Sequence, residues 1–439
     1  MIIRKNMLYG DSVNDNPTPI LSSKPMIRIP GINKSIQSCV DLSEELMHMH
    51  ILLMGGTGSG KTNTFLHILP QIQKNMTSND IMLVFDSKQD FVSFHRNSDY
   101  IISYKKNHKG KKAIWNLFMD VVADGWEKEN IASNADEIAD VIFSQAIEKS
   151  SQPFFPKAAK DIFAAIIKGM SFLGINDKTY RIKYLNNKAL MKYLNIIDAD
   201  KLSEFLSAFP ELTGALKYVG NGKSEQSLGV FAELQSVISH IFTRDFGEDG
   251  RFSVRKSAKE RNGKTLFIEY DPSRGKALQP IYQLLVDLFL KETLTPISTN
   301  KGRVFILCDE LKMLPQLNHF EDALNFGRSL GVSVVAGIQS MEQLYEVYGE
   351  YGGKNIASAF QTVFCFHTND VASRQYVKGL FGENISVMQY VTPSGKAIEE
   401  QHIGNSVEDW DITSLECGEA IVGIPYQKPF RFKFSKYHI

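Results

Sequence analysis

Twelve residues of the sequence, "LLMGGTGSGKTN" from Leu52 to Asn63, carry the clearest chemistry. Gly55 to Thr62 spell G-x-x-x-x-G-K-T. Such a loop turns backbone N–H groups inward around phosphate oxygens. Gly55, Gly56, Gly58 and Gly60 give it conformations closed to residues with a Cβ, with Thr57 and Ser59 between them. Lys61 would reach the β- and γ-phosphates, Thr62 would offer its hydroxyl to Mg²⁺, and Asn63 would follow in the first turn of a helix. A second element, "RVFILCDELKMLP", is an apolar run ending in Asp309-Glu310. A carboxylate at that point can orient the water shell of Mg²⁺, and its neighbour can polarise an attacking water. Asp309 is therefore the candidate metal residue and Glu310 the candidate general base. A third element, "GRSLGVSVVAGIQSMEQLYEVYG", places Gln339 at the end of another apolar run, with Arg328 ahead of it. Gln339 can sense the γ-phosphate or hold the attacking water. From spacing alone, an ordinary strand-end amide and a helix-terminal cap remain open for Gln339 and Arg328.

These residues need a sheet to bring them together. "MHILLM" reads as a short buried strand, "KTNTFLHILPQIQK" as the helix whose N-terminus faces the anion, and "IMLVFDSKQ" as a buried strand ending in a polar turn. "YIISYKK" and "KAIWNLF" read as further short strands. Ligand-facing residues belong at the carboxyl ends of such strands. The expected fold class is α/β, a P-loop NTPase with a mostly parallel sheet and helices on both faces. From about 126 the pattern turns helical. Apolar faces recur at Ala135, Ile138, Ala139 and Ile142, at Ile162, Phe163, Ile166 and Ile167, and at Phe231, Leu234, Ile238 and Ile241. Strand patterning returns at "KTLFIEYD". The expected organisation is a nucleotide-binding domain over 1–125 and 261–439, interrupted by an all-α domain over 126–260.

Composition narrows the class. The 439 residues suffice for two or three cored domains. Lys plus Arg equals Asp plus Glu, 49 each, which argues against an overall basic coat for nucleic acid but allows a local basic pore. Cys39, Cys308, Cys365 and Cys417 are scattered without metal-ligand spacing and read as reduced thiols. No signal peptide is visible, and no apolar run reaches the roughly 18 residues of a membrane span. "KKNHKGKK", Lys105 to Lys112, holds five lysines in eight positions and could line a channel along a phosphate backbone, or be a solvated loop. "RFSVRK", Arg251 to Lys256, reads as surface or as a DNA contact; Phe154 and Phe155 read as staples of the helical domain, and His50 as a strand-packing residue.

The series of phosphate loop, strand-Asp-Glu-Leu and "GRSLGVSVVAGIQSMEQLYEVYG" resembles the type IV secretion coupling proteins, the TraD/TraG-like ATPases that pump DNA during conjugation. "LVFDSKQDF", "AIWNLF" and "KTLFIEYDPSRGKALQPIYQLLVDLFLKETL" extend the resemblance over roughly residues 48 to 425. It implies an ATP- and Mg²⁺-dependent DNA translocase, a homo-hexameric ring with DNA in its channel, and relaxase and secretion-channel proteins as partners. Within it, Gly60, Lys61 and Thr62 match the phosphate-binding residues, Asp309 and Glu310 the metal and catalytic carboxylates, and Gln339 the strand-end glutamine. Arg328 matches an arginine that enters the neighbouring subunit's site, a device that is worth about 10³ to 10⁵ in rate in related enzymes. Members usually begin with membrane-spanning helices. Their absence here points to a soluble member, an anchor on another subunit or a shortened chain, placed in the cytoplasm or at the inner face of the membrane. A related translocase for repair, chromosome handling or phage defence fits the same residues, as does an ATP-switched adaptor for protein cargo.

Overall fold

The computed structural model describes residues 2–15, 24–33, 36–104, 111–220, 222–295, 302–314, 316–391 and 395–438. Most of the lysine run, 105–110, lies outside them. In chain order the strands are β1 (Ile2–Tyr9), β2 (Ile27–Asn33), β3 (Ile36–Leu42), β4 (Ile51–Met54), β5 (Ile81–Asp86), β6 (Tyr100–Ser103), β7 (Lys111–Lys112) and β8 (Lys264–Glu269). They continue with β9 (Val304–Cys308), β10 (Val332–Ile338), β11 (Thr362–Phe366), β12 (Glu383–Val391), β13 (Ala397–Asn405), β14 (Glu419–Gly423) and β15 (Phe430–Phe434). The chain divides into two compact units: Met1–Phe94 with Pro296–Gln316 and Phe320–Ile439, and His95–Thr295 with Leu317–His319.

In the first unit the strands run β3-β2-β15-β14-β11-β4-β10-β9-β5. The run from β11 to β5 is parallel, and β14, β15, β2 and β3 extend it antiparallel. Every residue of β4, β5, β9, β10 and β11 is buried. Apolar runs without alternation are what a parallel sheet covered on both faces requires. The register is what makes a site. Met54 pairs with Ile338 and with Cys365, and Cys308 pairs with Ala336 and with Phe85. The carboxyl ends of all five strands are therefore level, and whatever follows each strand arrives at one edge. A separate three-stranded sheet, β1-β12-β13, is antiparallel throughout.

The second unit contains a small parallel sheet, β8-β6-β7, and helices. The predicted apolar faces at 135–142 and 162–167 are buried, as are Leu234, Ile238 and Ile241. Phe231 is only half-buried, and Val230 takes the inward position. The boundaries of the unit lie at 94 and 295 rather than at 125 and 260. The physical reason is that β6 pairs with β8, so the helical excursion starts and ends on one sheet. Helix Gly275–Thr293 also packs on helices Lys128–Lys149 and Glu225–Ile241.

"KAIWNLF" is not a strand beyond Lys112. Asn116 caps the helix Leu117–Val121 by accepting from Phe118 N–H at 2.9 Å, and its amide donates to Leu185 O and Gly250 O. An asparagine that satisfies the orphan N–H groups of a helix start outweighs the β-propensity of its apolar neighbours. In "RFSVRK", Arg251 and Lys256 are exposed, but Ser253, Val254 and Arg255 are buried. Arg255 is 2% exposed and donates to Glu292 Oε1 and, at 2.6 Å, to Asp124 Oδ2. Phe154 packs edge-on against Phe155 and Tyr218 within the helices.

Candidate nucleotide site

The phosphate loop leaves β4 at Met54. Gly55 N–H donates to Ile338 O at 3.2 Å and Gly56 N–H to His367 O at 2.9 Å, so the strands on either side anchor its first half. Gly58 and Gly60 have φ of 75° and 123°, in the region that favours glycine. A Cβ on Gly55 would lie 2.6 Å from Phe366 Cβ. The helix Lys61–Asn75 begins after Gly60 with no side-chain cap, leaving its first-turn N–H groups free for an anion. Lys61 Nζ donates back to Gly55 O and, at 3.1 Å, to Gly56 O. Burial lowers its pKa to about 8, while Glu310 opposes the shift. Thr62, half-buried, is the second residue of the helix. Thr57 is exposed at the crown.

At the end of β9, Asp309 is buried. Oδ1 accepts from Ser87 N–H at 2.9 Å and Oδ2 from the Ser87 hydroxyl at 2.8 Å. Burial, then the neighbouring Asp86, pushes its pKa up to about 8, and the two Ser87 bonds oppose the shift. A bound cation would favour the ionised carboxylate that burial disfavours, so metal binding and ionisation of Asp309 are coupled. Glu310 Oε2 accepts from Gln339 Nε2 at 2.7 Å, and Gln339 Oε1 stands 3.4 Å from the Thr57 hydroxyl. Glu310 Oε1 is buried without a partner among the described residues. Burial raises the Glu310 pKa, and the Gln339 bond and the charges of Lys61 and Lys88 pull it down. Gly337 makes the meeting of β10 and β9 possible, since a Cβ there would lie 2.2 Å from Asp309 O.

The level strand ends bring together the phosphate loop with Gly55, Gly56, Thr57, Gly58, Ser59, Gly60, Lys61 and Thr62, the pair Asp309-Glu310, and Gln339. Arg328 is elsewhere. It occupies the turn Gly327–Leu330 that precedes β10, seven strand residues from the end where Gln339 follows, or about 20 Å along the strand. Its half-exposed side chain comes to 4.0 Å of Glu45. The side chain of Asn63 is committed to Ser435 and Tyr437. Sequence reading missed Ser87 and His367 as partners of the site. The Asp-Ser-Lys turn after β5 was visible, but that it meets Asp309 depends on β5 lying beside β9.

The donor set fits a Mg²⁺-bound nucleoside triphosphate. Lys61 and the uncapped N–H groups would hold the phosphates, Thr62 and Asp309 would hold the metal, and the unpartnered Glu310 oxygen is left for a water. A parallel sheet that presents these groups on one edge defines a P-loop nucleotide-binding protein. The model of the type IV secretion-system coupling protein DNA-binding domain matches residues 34–406, and the chain belongs to that family. The chain is 21% identical over 437 residues to coupling protein TraD of Escherichia coli K12, covering 95% of this chain and 56% of TraD. It is 26% identical over 257 residues to coupling protein VirD4 of Bartonella henselae, covering 53% of this chain and 38% of VirD4. The chain thus spans about half the length of TraD and less of VirD4. The fold is that of the bacterial conjugative coupling protein TrwBdeltaN70, with a TM-score of 0.72 at 19% identity, over 100% of this chain and 94% of that one. Plasmid coupling protein TrwB in complex with ADP and Mg²⁺ matches with a TM-score of 0.66 at 18% identity, over 100% and 95%. No helix among the described residues is long and apolar enough to cross a membrane.

Proposed function

We propose that the chain is a coupling ATPase of conjugative DNA transfer, which hydrolyses ATP at the interfaces of a homo-hexameric ring and moves DNA through it by the phosphate backbone. The observation that carries the reading is the bonded series Thr57–Gln339–Glu310, which links the crown of the phosphate loop to a buried carboxylate with one oxygen unpartnered among the described residues. That arrangement belongs to a hydrolase, since a small-molecule kinase has no need of an acid aimed at water.

In this reading Lys61 exchanges the carbonyls of Gly55 and Gly56 for the β- and γ-phosphate oxygens. Glu310 Oε1 accepts a proton from water as that water's oxygen bonds the γ-phosphorus and the bond to the β-phosphate oxygen breaks. Gln339 holds Glu310 in place and turns with it, so the crown at Thr57 feels whether the γ-phosphate is present. Bound Mg²⁺ would supply charge neutralisation between the β- and γ-phosphates, held by Thr62 and the shell that Asp309 orients. Arg328, remote from its own chain's loop, would complete the site of the next subunit. The names of the related proteins support a type IV secretion setting, and the matching family model supports DNA as cargo; relaxase and channel proteins as partners and a place at the inner face of the membrane complete the proposal.

The test is ATP hydrolysis by the purified chain with and without DNA over a range of protein concentration. The expected result is DNA stimulation that rises cooperatively with protein and disappears in Glu310→Gln. Turnover indifferent to DNA would overturn the translocase reading and favour an ATP-switched adaptor.

A further inference from the structure

Apart from the Thr57 hydroxyl, 3.4 Å from Gln339 Oε1, the side chains of the phosphate loop give it little outside support. Its helix starts without a cap, Ser59 Oγ is buried without a partner among the described residues, and Lys61 reaches only loop carbonyls. The parallel sheet anchors Gly55 and Gly56 through Ile338 O and His367 O. The second half of the loop is anchored by the ends of the C-terminal hairpin, β14 and β15. Just before β14, Gly418 N–H donates to Ser59 O at 2.8 Å, and the Cys417 thiol lies 3.1 Å from Gly58 O. Phe434 N–H closes that bend on Gly418 O at 2.8 Å. The approach is backbone on backbone, since a Cβ on Gly60 would lie 2.8 Å from Gly418 Cα. Just after β15, the Asn63 amide is read twice. Nδ2 donates to Ser435 O at 2.9 Å, and Oδ1 accepts from Tyr437 N–H at 2.7 Å. One turn along the helix, His67 Nε2 lies 2.8 Å from Ser435 O, and its ring meets Tyr437 edge-on at 5.0 Å.

We propose that Asn63 and the segment Ser435–Tyr437 form a latch that positions the first turn of the phosphate-loop helix, so that nucleotide affinity depends on a contact 372 residues apart in the chain. The inference rests on the loop being the ATP site. A site made of backbone N–H groups binds an anion in proportion to how well those groups converge beforehand, and a loosened turn must be ordered at the moment of binding. Asn63 and the latch touch no reacting atom, so they are positioning residues. Their loss weakens binding and leaves the chemistry at saturation in place.

Two variants separate the latch from general packing. Tyr437→Pro removes the N–H that Asn63 accepts, whereas Tyr437→Ala keeps it and removes the ring. Asn63→Ala removes both bonds and keeps the backbone of the loop. Binding of a fluorescent ADP is measured alongside KM and kcat for ATP. Alkylation of Cys417, the exposed one of the four cysteines, reports on loop order without turnover. The expected result is about tenfold weaker ADP binding and a matching rise in KM for Asn63→Ala, with kcat within about twofold of wild type. Tyr437→Pro follows in the same direction and Tyr437→Ala less so, and Cys417 reacts faster where the latch is broken. ADP affinity within twofold of wild type in both Asn63→Ala and Tyr437→Pro would overturn the latch. Absence of ADP binding by the wild-type chain would instead overturn the nucleotide site itself.

Discussion

Gln339 Nε2 donates to Glu310 Oε2 across 2.7 Å, tying the turn after β10 to the turn after β9. Both groups lie at strand ends that the parallel register makes level. The bond leaves the other Glu310 oxygen without a partner among the described residues and fixes where it points. Glu310→Gln is expected to lower kcat by about 10² to 10⁴ while ADP binding survives, as loss of a general base does. Gln339→Ala is expected to cost less. If the two side chains act as one device, the double variant loses no more than Glu310→Gln alone. Additive losses in steady-state rates would show that Gln339 acts independently of Glu310.

Ser87 gives the Asp309 carboxylate two hydrogen bonds, one from the backbone at 2.9 Å and one from the hydroxyl at 2.8 Å. Ser87→Ala keeps the first and removes the second. Partners of metal-orienting groups typically carry 10- to 100-fold in metal affinity. The expected outcome is a rise of about tenfold in the Mg²⁺ concentration for half-maximal hydrolysis, with little change at saturating Mg²⁺. Ser87→Thr, which keeps a hydroxyl, should restore most of the loss. A Mg²⁺ titration of the three proteins decides it.

Much of this site could be read without coordinates because its determinants are local. The phosphate loop needs glycines where φ is positive, and Gly58 and Gly60 have it. Asp309 and Gln339 follow unbroken apolar runs, which are the mark of central parallel strands. What could not be read is what depends on strand order. Ser87 serves Asp309 only because β5 lies beside β9, and Asn63 finds Ser435 only because the antiparallel hairpin returns past the loop. That Arg255, within "RFSVRK", is buried was hidden for a related reason: the carbonyl and carboxylate groups it donates to belong to Asp120, Asp124 and Glu292, all distant from it in the chain. The limits of the helical unit shifted because β6 and β8 pair across the whole excursion.

His50 packs between strands, as its place ahead of β4 suggested, and its two ring nitrogens make it sensitive to acid. Nδ1 accepts from Val334 N–H at 3.1 Å, so Nε2 carries the proton and donates to Leu324 O at 2.9 Å. A second proton would have to enter at Nδ1, breaking the Val334 bond and placing a charge in a buried site. Burial accordingly lowers its pKa from 6.5 to about 4. A depressed folded-state pKa contributes stability that is complete above pH 6.5 and is lost as pH falls toward 4. Between pH 7 and pH 5 the loss from His50 is about 2 kcal/mol. Urea unfolding at the two pH values should show it, and His50→Gln should shrink the difference while lowering stability at pH 7. An unchanged pH difference in the variant would assign the acid sensitivity to other groups.

Arg328 stands at the opposite end of β10 from Gln339, half-exposed, with Glu45 at 4.0 Å. A cation so placed cannot reach the loop of its own chain without unravelling a strand buried along its whole length. If it serves a neighbour, each functional site is built from Glu310 of one subunit and Arg328 of the next. Arg328→Ala should then lose about 10³ in hydrolysis, in the range of other arginine fingers, with ADP affinity retained. The decisive measurement is complementation. Arg328→Ala and Glu310→Gln, each inactive alone, are mixed and reassembled on DNA. A site that takes Glu310 from an Arg328→Ala subunit and Arg328 from the neighbouring Glu310→Gln subunit is intact, whereas the reverse order carries both substitutions in one site, so activity should return in part. Mixed rings that stay inactive would place Arg328 outside the catalytic machinery and leave its contact with Glu45 as its function.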